Sequence, residues 1–398
     1  MATDETPARG PLAGATILEL GHFVAAPFAA RLLADLGADI IKVEPPAGDP
    51  VRGWGEQVGG HSLWWSLHGR NKRSIALDLK TEAGRETVLE LVRGCDAVIE
   101  NFRPGQLDRM GLGPDILRAE RPGLIVAHIS GYGQDGPDRD RAAFGVIGEA
   151  VGGLRHLTNH EPGVSDLPPV RVGVSIGDSI AGLYAAFGIA CALWQRDRPG
   201  GDGRGRTVDV ALSEAVLSMM EGMLPEYGKL GKIREPAGAG IPTAAPSSAY
   251  PVRDGWILVA ANSEPLFARL CALIGRPDLP ADPDFSTNRA RCANRARLDA
   301  IIGEFTGRHT AEQATALFQA ADIPHSRVYT AKDCAEDPQF RHRGMVREVQ
   351  DPLFGPVLHA GVVPHFPDDP GSVRWAGPAV GQHTDAILAA LRKADEGR

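Results

Sequence analysis

Asp178 stands where a polar loop turns into a long apolar run, a position from which a carboxylate can do covalent chemistry. Residues 180–194 (IAGLYAAFGIACALW) carry no charge, and their Ala and Leu content predicts a buried helix with Asp178 or Ser179 as its N-cap. A carboxylate there faces free backbone N–H groups and the positive end of the helix dipole, which favour its ionised form. Ionised and set against apolar side chains, it is a potential nucleophile; on position alone, a plain capping role is the alternative. Gly173 and Gly177 let the backbone approach closely, so N–H groups there are candidates for stabilising an oxyanion.

A second group of polar residues lies upstream. Glu100-Asn101-Phe102-Arg103-Pro104-Gly105 follows a strand-like run, where open parallel sheets place ligand-binding loops. Asn101 and Arg103 can hydrogen-bond polar parts of a ligand, and Pro104 is expected to open the next helix with its N–H groups available to an anion. Asn71-Lys72-Arg73, Lys80 and Arg109 add positive charge suited to phosphate, although each alone reads as a solvated surface cation. Arg139, Arg141, Arg155, His156, His160 and Arg171 precede Asp178 and could hold the second carboxylate of a dicarboxylic substrate.

Several chemistries are not expected. Gly21-His22-Phe23-Val24-Ala25-Ala26 stands where a GxGxxG would follow the first strand, so no dinucleotide is implied. Gly228-Lys229-Leu230-Gly231-Lys232 lacks the Walker A spacing. The twelve histidines form no HExxH, so no metal is expected, and a serine-hydrolase elbow is not expected either. A net charge of −8 argues against nucleic acid. Five scattered cysteines without CxxC spacing fit a reducing compartment better than a disulfide framework. Residues 1–14 are acidic and have no apolar core, and the run 180–194 is short for a membrane span. The expectation is a cytoplasmic protein without a membrane partner.

In the first part of the chain strands alternate with helices. Strands are expected at 15–20, 39–44, 74–79, 97–100, 124–130 and 207–210, with helices at 27–36, 82–93, 114–120, about 144–154 and from 180, and one helix ending near Tyr227. This pattern predicts an α/β fold, a parallel sheet covered on both faces. Residues 228–248, dense in Gly, Pro and Ala, read as a linker, followed by a strand at 256–260 and helices at 264–274, 293–305 and 311–321. Hairpin-like segments and a helix from about Thr384 to Lys393 end the chain. The domain expectation is a large catalytic domain over 1–227, joined by the returning segment of about 330–398, with a linker and small domain at 228–329.

These motifs together resemble one family along nearly the whole chain. The order is His22-Phe23-Val24-Ala25-Ala26-Pro27 after a strand, then 37–46 (GADIIKVEPP), 71–80 (NKRSIALDLK), 100–105 (ENFRPG) and 107–111 (LDRMG). Gly131-Tyr132-Gly133, Gly177-Asp178, 203–211 (GRGRTVDVA) and 381–385 (GQHTD) complete it. The pattern is similar to that of the class III coenzyme A transferases, which include formyl-CoA transferase, the carnitine CoA-transferase and the 2-methylacyl-CoA racemases. The resemblance implies a large domain with a Rossmann-like parallel sheet, a smaller α+β domain, and a homodimer of two interlocked rings. It implies acyl-CoA and a carboxylic acid as substrates, with no tightly bound cofactor. It places the catalytic aspartate on Asp178 and coenzyme A contacts on Val24, Ala25, Leu77, Asp78, Leu79, Lys80, Asn101, Phe102, Arg103 and Arg109. Val24 replaces the Gln of formyl-CoA transferase, and only Gly238-Ala239-Gly240-Ile241 remains of its tetraglycine loop, so formate and oxalate are not the expected acids.

The racemase branch needs a histidine after Gly131-Tyr132-Gly133, where this chain has Phe144, and a phenyl ring cannot move a proton. The expected activity is therefore transfer of coenzyme A from a dicarboxylyl-CoA such as succinyl-CoA to a C4–C6 dicarboxylate, through an aspartyl anhydride and an aspartyl-CoA thioester. A racemase or other isomerase, or a non-catalytic acyl-CoA-binding protein, is the alternative.

Overall fold

A computed structural model describes residues 9–396, so the first eight residues of the acidic N-terminal stretch lie outside the described residues. The chain divides into two compact units. One contains the described residues up to Leu154, Val172–Glu221 and Ala335 onward; the other contains Arg155–Arg171 and Gly222–Cys334. The stretch Arg155–Arg171, assigned from sequence to the large domain, thus groups with the second unit, and the junctions fall at 221/222 and 334/335.

The first unit is built on a parallel sheet: β1 (Thr16–Glu19), β2 (Asp39–Glu44), β3 (Lys72–Ala76), β4 (Ala97–Glu100), β5 (Ile125–Ser130) and β6 (Thr207–Ala211). Their spatial order is β3-β2-β1-β4-β5-β6, every neighbouring pair parallel. Consecutive residues of one strand bury on opposite faces, as the twofold period of a strand demands. Ile17, Ile40, Ile99 and Ala127 pack with α1 (Ala25–Asp35) and the long helix Ile176–Asp197, whereas Leu18, Ile41, Val98 and Val126 pack with α2 (Glu82–Val92). Further helices are α3 (Pro114–Glu120), α4 (Gly145–Val151), α5 (Ile176–Asp197) and α6 (Leu212–Leu217).

Glycines set how closely these helices meet. A β-carbon on Gly182 of α5 would lie 2.7 Å from the Ala25 carbonyl oxygen of α1, and one on Gly148 of α4 would lie 2.8 Å from Leu212 Cβ of α6. Any side chain there would push the helices apart. The returning C-terminal segment closes the β3 edge: the His383 N–H donates to the Ser74 carbonyl at 2.9 Å and the Ser74 N–H donates to His383 Nδ1 at 3.0 Å. The Gly381-Gln382-His383-Thr384-Asp385 motif thus covers the outer edge of β3, the side that no strand pairs.

Two elements differ from the sequence expectation. The helix foreseen up to Tyr227 is interrupted between α6 and a helix at Met223–Leu230. Ser218 Oγ donates back to the Ala215 carbonyl at 2.8 Å, the kind of side-chain bond that competes with helix continuation, and Glu221 takes the left-handed φ of 49°. In the second unit a strand at Ser247–Val252, not foreseen from sequence and overlapping the last two residues of the expected linker, pairs antiparallel with Gly255–Ala260, and His325–Arg327 adds a third strand. Helices Glu264–Leu273, Arg295–Thr306 and Ala311–Ala320 cover a core that includes Tyr250, Phe267 and Phe318.

Candidate active site

The topological switch of the sheet lies between β1 and β4, with β2 and β3 continuing on the β1 side and β5 and β6 on the β4 side. In open parallel sheets a crevice forms outside the carboxyl ends of the strands at such a point. A cavity of about 440 Å³ lies there, within the usual range for small-molecule sites. The segments leaving five strands line it: His22-Phe23 after β1, Pro45 after β2, 77–80 after β3, 101–104 after β4 and Gly131 after β5.

Asp178 lines the same cavity. It is not the cap of α5: the helix begins at Ile176 with Ser175 as N-cap, so Asp178 is its third residue. That places the carboxylate in the first turn, still near the positive end of a 22-residue helix. The string Gly173-Val174-Ser175-Ile176-Gly177 has GxSxG spacing, contrary to the sequence expectation. It is preceded by loop rather than by a strand, which a nucleophile elbow requires. Gly177 does permit a close backbone approach, since a β-carbon there would meet the Gly145 carbonyl oxygen at 2.6 Å; Gly173 has open space around it and serves no such purpose. Gly145, buried at the start of α4, lies against the Asp178 carboxylate. Phe144, just before it, is 64% exposed and lines the cavity.

Beneath the loop 21–23 runs a buried charge network. Glu19 pairs with Lys42 at 2.9 Å and Lys72 at 2.7 Å, and Lys42 pairs with Asp49 at 2.7 Å, all four side chains inaccessible to solvent. Burial opposes the charge on Lys42, but Glu19, Asp49 and Glu44 override it and raise its pKa. Burial likewise works to raise Asp49, yet Lys42, His22 and the Val51 N–H hold its carboxyl well below the usual range. Lys72 is pulled down to about 8 by burial, with Glu19 opposing. Asp49 also accepts from the Phe23 N–H at 3.1 Å, and Lys42 donates to the Gly21 carbonyl. Phe23 has φ 62°, which a residue bearing a β-carbon keeps only when its surroundings hold it there.

The expected coenzyme A contacts come together only in part. Ala25, Leu77, Asp78, Leu79, Lys80, Asn101, Phe102 and Arg103 line the cavity with Asp178. Val24 does not: its side chain is buried just before α1. Arg109 is outside the lining as well. Its guanidinium passes 3.3 Å, and that of Arg139 3.8 Å, from where a Gly105 β-carbon would sit, so both flank the loop that carries Arg103. Pro104 does not open the helix; a four-residue helix starts at Gln106 after Gly105 turns left-handed with φ 72°.

Of the six basic residues expected to gather before the nucleophile, Arg141 lines the cavity. It pairs with Asp138 at 2.9 Å and lies over the Tyr132 ring. Arg155, His156, His160 and Arg171 are in the second unit, where His156 Nε2 faces the Arg234 carbonyl at 3.1 Å. Among the described residues no group of His, Cys, Asp and Glu is placed to hold a metal ion. Sequence reading missed His22, Phe23 and Gly145 as parts of the site. The dense pattern of Lys42, Glu44, Asp49 and Arg52 was the available sign that this corner is electrostatically organised.

A family model described as CoA-transferase family III matches residues 12–384. The succinyl-CoA–D-citramalate CoA-transferase of Chloroflexus aurantiacus is 47% identical over 384 residues, covering 96% of this chain and 94% of that protein. Human succinyl-CoA:glutarate CoA-transferase is 34% identical, covering 97% of this chain and 87% of that protein. Among solved structures, a CAIB/BAIF family protein from Brucella suis superposes with a TM-score of 0.84 at 35% identity, covering 96% of this chain and all of that one.

Proposed function

As a member of CoA-transferase family III, the chain is a CoA-transferase, and we propose that it moves coenzyme A from succinyl-CoA to a short dicarboxylic acid, with Asp178 as the nucleophile. The observation that carries this reading is that Asp178 shares one cavity with Lys80, Arg103 and Arg141, cations suited to phosphates or a second carboxylate. The relatives named for succinyl-CoA and a dicarboxylate support the choice of acids. Phe144 beside the cavity supports transfer over racemisation, because a phenyl ring offers no proton.

In the proposed reaction an oxygen of the Asp178 carboxylate attacks the thioester carbonyl. The C–S bond breaks, coenzyme A leaves as thiolate, and a mixed anhydride remains. The thiolate attacks the aspartyl carbonyl, releasing the donor acid and leaving an aspartyl-CoA thioester. The acceptor carboxylate attacks that thioester to form a new anhydride and free the thiolate. Attack of the thiolate on the acceptor carbonyl completes acyl-CoA and restores Asp178. One thioester replaces another, so no nucleotide is consumed. Coenzyme A would lie along 77–80 and Phe102-Arg103, its phosphates toward the cations.

The working form in this reading is a cytoplasmic homodimer of interlocked subunits. Leu183, Phe187 and Trp194 are 52%, 65% and 68% exposed along one side of α5, an apolar face that a second copy would cover. α5 is long and apolar enough to cross a membrane, but its other side packs on α1 within the large unit. The test of the activity is a screen of acyl-CoA donors against small carboxylic acids by mass spectrometry. Succinyl-CoA with a C4–C6 dicarboxylate should give the new thioester, and no exchange with any donor would overturn the reading.

A further inference from the structure

We propose that Asn101 is a positioning residue: its side-chain amide clamps the His22 peptide and so fixes the loop that carries Phe23 into the cavity. Asn101 follows β4 and His22 follows β1, neighbouring strands on either side of the switch point. Backbone pairing between them ends with the Leu20 N–H donating to the Ile99 carbonyl at 2.9 Å. Beyond it the amide takes over: Asn101 Oδ1 accepts from the His22 N–H at 2.7 Å, and Nδ2 donates to the His22 carbonyl at 2.8 Å. The side chain thus supplies both bonds that a further strand residue would have supplied. Gly21 makes room for it, since a β-carbon there would lie 2.7 Å from Asn101 Oδ1.

The clamp works with the buried pair below it. Lys42 holds the Gly21 carbonyl and Asp49 holds the Phe23 N–H, so every peptide from Gly21 to Phe23 is tied to a side chain from a different segment. That over-determination keeps Phe23 left-handed. Its ring then stands edge-on to Phe144 at 6.0 Å between centroids and packs on Trp54 at 5.0 Å. Phe144 directly precedes Gly145, which lies against Asp178. With one hydrogen bond from each amide atom committed to His22, Asn101 is assigned to act on the reaction through this loop.

An amide is required because the His22 peptide offers one donor and one acceptor. A carboxylate of the same shape accepts but cannot donate, whereas a protonated carboxyl does both. The test therefore uses Asn101→Ala and the isosteric Asn101→Asp in the full chain, with succinyl-CoA and a dicarboxylate acceptor, and rests on the transfer activity proposed above. Asn101→Ala should lower kcat by about tenfold or more while the Kd for coenzyme A alone, by calorimetry, stays within about twofold. Asn101→Asp should be equally impaired near pH ~8; its second oxygen then faces the His22 carbonyl, which disfavours the ionised carboxyl and raises its pKa, so kcat relative to wild type should climb as pH falls toward ~5.5. The Tm deficit of Asn101→Asp should narrow over the same range, a readout that needs no turnover and that serves if Asn101→Ala does not fold. Weakened binding of coenzyme A matching the loss in kcat/KM would overturn the clamp in favour of a ligand contact. An unchanged kcat, or pH-independent ratios and deficits, would overturn it outright. A narrowing Tm deficit in a protein without transfer activity would uphold the clamp and remove the proposed activity instead.

Discussion

Gly145 abuts Asp178: a β-carbon built on Gly145 would fall 2.0 Å from Asp178 Oδ2 and 2.5 Å from its Cγ. The Asp178 carboxylate therefore fills the space that a side chain on Gly145 would take, and Gly177 lets the first turn of α5 approach the Gly145 carbonyl of α4. The backbone at Gly145 is not left-handed, so the requirement is for space alone.

Gly145→Ala should then displace the carboxylate while leaving the fold in place. Overpacking at a tight site costs about 1–3 kcal/mol, and a shift of an ångström at a reacting group costs about a hundredfold in rate. Turnover and urea denaturation measured on the same preparation separate the two effects. Wild-type kcat in a folded Gly145→Ala enzyme would show that the contact is irrelevant to chemistry.

Asp178→Ala should abolish transfer and still bind coenzyme A. Wild-type enzyme given succinyl-CoA should be inactivated by hydroxylamine, with the adduct found by mass spectrometry on the peptide containing Asp178. Substantial turnover by Asp178→Ala rules out the covalent route.

Substrate preference should follow the second carboxylate. A charge-assisted bond to a guanidinium contributes roughly 1.5–3 kcal/mol, enough for about a tenfold or greater preference in kcat/KM for succinyl-CoA over butyryl-CoA. Arg141 is the cavity-lining candidate, so Arg141→Ala should erase most of that preference. Equal performance of the two donors with wild-type enzyme removes the dicarboxylate assignment and leaves the transferase intact.

The assembly prediction is a dimer that does not dissociate on dilution short of unfolding. Phe187→Glu, on the exposed face of α5, should impair assembly or folding. Light scattering that finds a stable, active wild-type monomer contradicts it.

Acid should weaken the fold through two histidines, the buried His359 and the half-buried His68. Burial, with Arg70 and Arg31 nearby, lowers His359 to about 4 against the pull of Asp351, and burial with Arg31, Lys72 and Arg70 lowers His68 to about 3 against that of Asp49. In the unfolded chain both titrate near ~6.5, so the unfolded state holds more protons from about pH 6.5 down to about 4 for His359 and about 3 for His68. Stability is complete above that window and is lost as pH falls through it. His359→Gln, which keeps a donor toward Ser66 Oγ, should flatten the fall in urea midpoint. Identical pH slopes for the variant and wild type would contradict this account.

Much of this was legible in the sequence because it depends on local order. Strand and helix periods located the sheet strands to within a few residues, since each hydrophobic pattern reports the face its own segment buries. The motif around Asp178 and the segments 77–80 and 101–103 pointed to one site, because loops leaving neighbouring parallel strands must emerge at the same edge. The basic residues between Phe144 and Asp178 were legible only as neighbours along the chain. Their spacing along the chain made a cluster, while Arg155–Arg171 groups with the second unit.

The sequence by itself determined the α/β architecture, the family and the carboxylate to suspect, because periodicity and motif order are properties of the chain. Tertiary structure alone decided that Asp178 sits in the third position of its helix against Gly145, that Asn101 spends its amide on His22, and that Phe23 is held left-handed by Asp49. Those facts join residues 33, 79 and 26 positions apart. A glycine kept for space and an amide kept for a distant peptide look like any other in the string; only packing brings their partners within reach.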